Sequence, residues 1–168
     1  MSQVYVTYGL GNKFHPELVI TNLYCYIGKP ARAWWGSPID ADYSWKDWCI
    51  DNDWIPSDAK SQEEYFSDDN KILWTLKENT KVLMINSVDD IKTFIKKKYI
   101  VPTDEVSFSG YTWDFYNVLL DGYSAIQLND PCIGHRFATP GEDLLNGWDC
   151  ESIVVLDANK IVELDKES

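Results

Sequence analysis

Six short runs rich in β-branched and aromatic residues, punctuated by glycine, proline and turn-forming residues, constrain this chain more than any other feature. They are Val4-Tyr5-Val6-Thr7-Tyr8, stopped by Gly9 and Gly11; Ala33-Trp34-Trp35-Gly36-Ser37, stopped by Pro38; Ile72 to Leu76; Val82 to Ile85; Ser124 to Leu128; and Ser152 to Leu156. Such runs suit a pleated, half-buried surface, so each predicts a strand. The reversal at Glu78-Asn79 lies between the third and fourth runs and predicts a hairpin. Helix signals are fewer. Asp42 or Ser44 can cap a helix whose Trp45, Trp48 and Cys49 share one stripe. Ser87-Val88-Asp89-Asp90 resembles a capping box with Asp in place of Glu, ahead of Ile91, Phe94 and Ile95. Trp113, Tyr116 and Leu120 fall at helical spacing within 111–120, where Asp114 reads as a solvated helix residue. The stretch 129–147, with Pro131, Gly134, Pro140, Gly141 and Gly147, predicts a long irregular loop of the kind that often carries function. At 168 residues, with roughly 100–200 residues per domain, the pattern predicts one α+β domain over 1–168 in which strands outnumber helices.

Composition narrows the function classes. Hydrophobic residues make up 45% and aromatics 14%, which excludes global disorder. No apolar run approaches the roughly 18 residues of a membrane span, and Met1 is not followed by the basic and apolar regions of a secretory signal. Cys25, Cys49, Cys132 and Cys150 are widely spaced with no CxxC pair, which disfavours zinc and a disulfide scaffold and predicts a reducing cytosol. A net charge of −12 and a pI near 4.4 argue against nucleic-acid binding through a phosphate-neutralising surface. The charge is uneven: residues 51–70 carry −6, residues 142–168 carry −6, and residues 77–98 carry +3. These blocks read as solvated faces or, for Lys92, Lys96, Lys97 and Lys98, as a helix face that meets an anionic ligand or partner.

The commonest catalytic motifs are missing. The two histidines, His15 and His135, both fall in predicted loops, which is little material for a metal site. There is no GxSxG and no GxxxxGK[ST], and Gly9-Leu10-Gly11 lacks the third glycine of a dinucleotide fingerprint. What remains is a carboxylate in an odd place. In Trp148-Asp149-Cys150-Glu151-Ser152-Ile153-Val154-Val155-Leu156-Asp157, Glu151 opens an otherwise apolar strand. Residues two apart in an extended chain share a face, so Glu151 aligns with Ile153 and Val155, and Asp149 joins them if the chain is already extended there. Such a group can accept a hydrogen bond from a sugar hydroxyl and stabilise developing positive charge. It can equally be an exposed strand-terminal residue.

Three segments, in order, resemble the ADP-ribosyltransferase superfamily. Its late strand opens with a catalytic Glu and continues as an apolar run to a turn and an Ile, which is similar to Glu151 through Ile161 here. Its middle motif, an aromatic or apolar strand ending in a small or hydroxyl residue before a helix, is similar to Ala33 through Pro38 with Tyr43–Cys49 as the helix. Asp121-Gly122-Tyr123-Ser124-Ala125-Ile126 looks like a permuted form of the Tyr-Asp-Gly turn that leads into an apolar strand in many relatives, and the likeness spans roughly residues 4–164. Most families carry a His or Arg on the first strand; here Thr7 or Tyr8 holds about that position. Asp149-Cys150-Glu151 resembles the acidic-x-Glu arrangement of some families.

The resemblance implies an α+β fold with two small β-sheets around an NAD cleft and a few flanking helices. It implies NAD as substrate, with Glu151 on the ribose 2′-hydroxyl and Asp149 orienting or deprotonating the acceptor. Thr7, Tyr8, Trp35 and Ser37 would contact the dinucleotide, and Ser37 would brace Glu151. Trp34 and Trp35 alternate faces, so at most one of them walls the pocket. His135-Arg136 sits where the family places target recognition; Arg136 would meet a pyrophosphate or an acidic target, or is an ordinary loop residue. The expected function is mono-ADP-ribosylation of a macromolecule, protein or nucleic acid, by a phage or toxin-type effector of the cytosol, with neither metal nor membrane. Two alternatives stand beside it: an NAD glycohydrolase, and a non-catalytic acidic binding protein of the kind that can mimic a nucleic acid, motivated by the −12 charge and the acids of 51–70.

Overall fold

The computed structural model describes residues 2–9, 22–26, 29–31, 33–103, 110–130, 145 and 147–165. Along the chain these form β1 (Val4–Tyr8), β2 (Asn22–Tyr26), β3 (Lys29–Ala31), β4 (Trp34–Pro38), α1 (Trp45–Asp51), α2 (Gln62–Tyr65), β5 (Lys71–Leu76) and β6 (Lys81–Ile85). There follow α3 (Val88–Lys96), β7 (Ile100–Pro102), β8 (Tyr111–Trp113), α4 (Phe115–Leu120), β9 (Tyr123–Leu128), β10 (Ser152–Val155) and β11 (Ile161–Glu163). Every one of the six aromatic and β-branched runs is a strand, within a residue at each end. His15, Cys132, His135, Arg136, the side chain of Cys25 and most of the 129–147 loop lie outside the described residues.

The architecture is mixed α and β. Among the described residues, seven strands form one mixed sheet in the order β11-β5-β1-β4-β10-β9-β6, and β2-β3 and β7-β8 are separate two-stranded pairs. The expectation of two small sheets is corrected: these seven strands form a single sheet, which can be described in two halves. The halves meet on β4, which changes partner along its length. Ser37 and Pro38 pair with Val6 and Tyr5 of β1, whereas Trp34, Trp35 and Gly36 pair with Val155, Val154 and Ile153 of β10.

Strands β9 and β10 are buried on both faces, which is why they read as near-continuous apolar runs. On one face Val154, Leu156, Ile126 and Leu128 pack with Ile91 and Phe94 of α3 and with Phe115 and Val118 of α4. On the other, Ile153, Val155 and Ala125 meet Tyr5, Ile72 and Trp74 from the first half of the sheet.

The hairpin expected at Glu78-Asn79 is corrected. The reversal exists: the Thr80 amide donates to the Lys77 carbonyl (3.2 Å), and Asn79 takes the left-handed conformation (φ 62°) that Asn tolerates. The flanking strands do not pair with each other, however. β5 lies between β1 and β11, while β6 runs parallel to β9. Burial decides this, because Leu83 and Ile85 of β6 join the helix-side cluster whereas Ile72 and Trp74 of β5 join the other.

The caps follow the sequence more closely. Ser44 and Asp47 close a capping box on α1, and Ser87 and Asp90 close one on α3. The expected 111–120 helix splits into β8 and α4. Asp114 is not a helix-interior residue but the N-cap of α4, its carboxylate accepting from the Asn117 amide (3.0 Å). Phe115 and Val118 supply the buried face, and Tyr116 and Leu120 are exposed. Among the described residues no helix is long and apolar enough to cross a membrane.

Candidate functional site

A cavity of about 290 Å³ lies where β4 changes partner. Val6–Tyr8 of β1, Trp35–Ser37 of β4, the start of α1 and the approach to β10 over 147–150 line it, together with Lys29 and Tyr65. Of the six residues that the sequence singles out, Thr7, Tyr8, Trp35, Ser37 and Asp149 line this space, and Glu151 does not.

Each lining residue also serves the fold. The Thr7 hydroxyl donates to the Trp35 carbonyl (2.5 Å) and accepts from the Trp74 indole N–H (2.9 Å), so its hydrogen is committed inside the protein. Tyr8 stands edge-on to Phe66, with ring centroids 4.9 Å apart. Its phenol is raised above the ordinary value first by burial and then by Asp68 and Asp47. Strand alternation separates the two tryptophans as expected. Trp34 turns inward, edge-on to Trp74 at 6.4 Å, and Trp35 walls the cavity, edge-on to Trp148 at 4.8 Å. Ser37 is buried, and its hydroxyl accepts from the amide of Trp45, the first residue of α1 (3.0 Å). It therefore braces the helix and not Glu151.

Glu151 has a different partner from the one its spacing suggests. Its Oε1 accepts from the amides of Asp42 (2.8 Å) and Tyr43 (3.1 Å), and its own amide donates to the Tyr43 carbonyl (2.9 Å). Three bonds thus lash the 42–43 loop to the start of β10. Regular strand begins only at Ser152, so the two-residue rule has no strand over 149–151 to act on, and Asp149 lines the cavity whereas Glu151 does not. Asp149 reaches the cavity from the approach to β10, and Cys150 and Ser152 line it from alternate positions.

Lys29 is a lining residue that sequence reasoning missed. Its Nζ sits 5.5 Å from the centroid of the Trp35 ring. Burial lowers its pKa below the ordinary value, partly offset by the negative charge of Asp149. A lone lysine beside Pro30 carries no pattern by which sequence could have marked it.

Two further features set the floor and the chemistry. A Cβ on Gly36 would meet the Trp74 ring at 2.7 Å and the Val6 carbonyl oxygen at 2.9 Å, so only glycine permits this approach of β4 to β1 and β5. Cys49 and Cys150 are free, buried thiols pushed up to about 12 by burial, which makes them inert as nucleophiles. Among the described residues no group of three or more His, Cys, Asp or Glu could hold a metal ion.

No family model, curated protein or solved structure matches this chain. The chemistry of the site therefore rests on its own geometry: among the described residues, a flat indole wall, a carboxylate and two ammonium groups.

Proposed function

We propose that the chain is an NAD-dependent mono-ADP-ribosyltransferase acting on a macromolecule, and that the cavity on β4 receives the nicotinamide-ribose end of NAD. One observation carries this reading. Thr7, Tyr8, Trp35, Ser37 and Asp149, chosen from separate segments of the chain, converge on a single cavity. Trp35 supplies a face for a flat ring, and the Asp149 carboxylate supplies negative charge beside the sugar. The bond from ribose C1′ to the nicotinamide nitrogen breaks with its electron pair going to the ring, so nicotinamide leaves neutral. Asp149 stabilises the oxocarbenium-like sugar, the acceptor nucleophile bonds to C1′, and the acceptor's proton passes to solvent. In this reading Glu151 is a positioning residue, acting through the 42–43 loop on Ser44 and Trp45 at the cavity's edge.

The test is incubation of labelled NAD and a cell lysate with wild type, Asp149→Asn and Glu151→Gln. Label should pass to a macromolecule with wild type, fall about 10²–10³-fold with Asp149→Asn, and fall less than about tenfold with Glu151→Gln. Nicotinamide release without transferred label would make the protein a glycohydrolase. No turnover by wild type would refute the enzymatic reading.

A second reading has its own observation. Asp51, Asp53, Asp58, Glu63, Glu64, Asp68 and Asp69 are all exposed, as an acidic binding protein would require. Partner binding that weakens steeply with salt and with charge reversal in 51–70, yet ignores Asp149→Asn, would favour it.

A further inference from the structure

We propose that Lys29, assisted by Lys46, is the cavity's recognition point for a phosphoryl group, so that the ligand is a phosphorylated molecule whose flat ring lies along Trp35. The inference deepens the reading above by sharing its cavity, but it does not require that transfer occur.

Three observations lead to it. The first is an inversion of charge. The chain carries −12 overall, yet among the described residues the charged ones lining the cavity are Lys29, Lys46 and Asp149. A cavity lining with a positive excess, set in a chain of net charge −12, favours anionic ligands at that spot. The second is that, among the described residues, neither ammonium is closed into an ion pair. Among the described residues no carboxylate lies within ion-pair distance of either Nζ; Lys29 rests against the Trp35 ring and Lys46 at 6.0 Å from the Phe66 ring. A half-buried cation with no ion-pair partner retains its capacity for charge-assisted hydrogen bonds.

The third observation is how Lys29 is seated. A Cβ on Gly147 would stand 3.4 Å from both Cε and Nζ of Lys29, so the lysine head lies in the hollow that this turn leaves open. The head is thereby fixed between the indole and the turn. At about 290 Å³ the space sits at the small end of ligand pockets, enough for one ring, one sugar and one phosphoryl group.

Binding of ADP-ribose, adenosine and inorganic pyrophosphate, followed by tryptophan fluorescence and calorimetry, tests this on wild type, Lys29→Met and Lys29→Arg. Wild type should bind ADP-ribose more tightly than adenosine, and pyrophosphate should compete. Lys29→Met should weaken ADP-ribose by about 10–100-fold, leave adenosine unchanged and keep the wild-type circular dichroism spectrum. Lys29→Arg should recover most of the loss. Equal affinity of wild type and Lys29→Met for ADP-ribose would overturn the proposal, as would failure of wild type to bind either phosphorylated probe. The two readings fail separately. Lysine-dependent binding of ADP-ribose without NAD turnover sinks the transferase and keeps the phosphoryl site. NAD turnover with an unchanged KM in Lys29→Met does the reverse.

Discussion

Replacing Glu151 separates a chemical role from a mechanical one. In Glu151→Ala two amide donors, those of Asp42 and Tyr43 at 2.8 and 3.1 Å, lose a charged acceptor. Hydrogen bonds to charged groups contribute about 1.5–3 kcal/mol each. Glu151 is only half buried and water can reach the freed amides, so each bond contributes less than that, about 1 kcal/mol, or about 2 kcal/mol for the pair. For a chain of this size about 1 kcal/mol moves Tm by about 2–4 °C, so Glu151→Ala should melt about 4–8 °C below wild type. Glu151→Gln keeps a carbonyl acceptor but not the charge, and should lose about half as much. Thermal melts followed by circular dichroism give the shift, and hydrogen exchange locates it, with the amides of Asp42 and Tyr43 exchanging faster while those of β9 stay protected. An unchanged Tm in Glu151→Ala with unchanged exchange at 42 and 43 would refute the latch. A turnover loss above about 100-fold in Glu151→Gln at wild-type Tm would return Glu151 to the chemistry.

Gly36→Ala forces a methyl against the Trp74 ring at 2.7 Å and the Val6 carbonyl at 2.9 Å. It should destabilise by about 1–3 kcal/mol or more, read as a lower urea midpoint; an unmoved midpoint contradicts the close approach. Thr7→Val removes the donor to the Trp35 carbonyl and the acceptor of the buried Trp74 indole N–H, and should cost about 1–3 kcal/mol while Thr7→Ser costs far less. Equal stability of the two variants would show that the hydroxyl is dispensable. Burial pushes Tyr5 and Tyr99 up to about 12 from 10.0, and Cys49 and Cys150 up to about 12 from 9.0. The native state then holds protons that the unfolded chain releases, so stability should fall as pH rises from about 9 toward 12. Urea midpoints at pH 8 and pH 11 check the sign, and a higher midpoint at pH 11 rules it out.

The strands were legible because burial on two faces leaves a plain mark, as in Ile153-Val154-Val155 and Ala125-Ile126. Capping serines were legible for a similar reason, since the Ser44–Asp47 and Ser87–Asp90 pairs act over three residues and need no tertiary partner. Strand partnership is a long-range property. The turn at Glu78-Asn79 reverses the chain whichever half of the sheet receives β6, so local turn chemistry could not exclude a hairpin. On α4 the spacing of Tyr116 and Leu120 mimics a buried stripe, but the helix turns Phe115 and Val118 to the core. In the site, the choice of Thr7, Tyr8, Trp35 and Ser37 followed from the resemblance and not from strand alternation, which turns neighbours such as Thr7 and Tyr8 to opposite faces. The separation of Asp149 from Glu151 was not legible, because the chain over 149–151 is not yet the strand that the two-residue rule takes it for. Lys29 became visible only when the chain brought it over Trp35.

Strand β4 belongs to both halves of the sheet, pairing with β1 through Ser37 and Pro38 and with β10 through Trp34 to Gly36. Opening the first half alone strips Ser37 and Pro38 of their partners, and opening the second alone strips Trp34 to Gly36, so either one unpairs part of the same strand. The two halves should behave as one cooperative unit in hydrogen exchange, with the amides of β1 and β10 sharing a single opening free energy. A ligand resting on Trp35 and Ser37 grips that common strand, so its binding energy is felt by the whole sheet. Occupancy of the cavity should slow exchange even at β11 and β6, the outermost strands, far from anything the ligand touches.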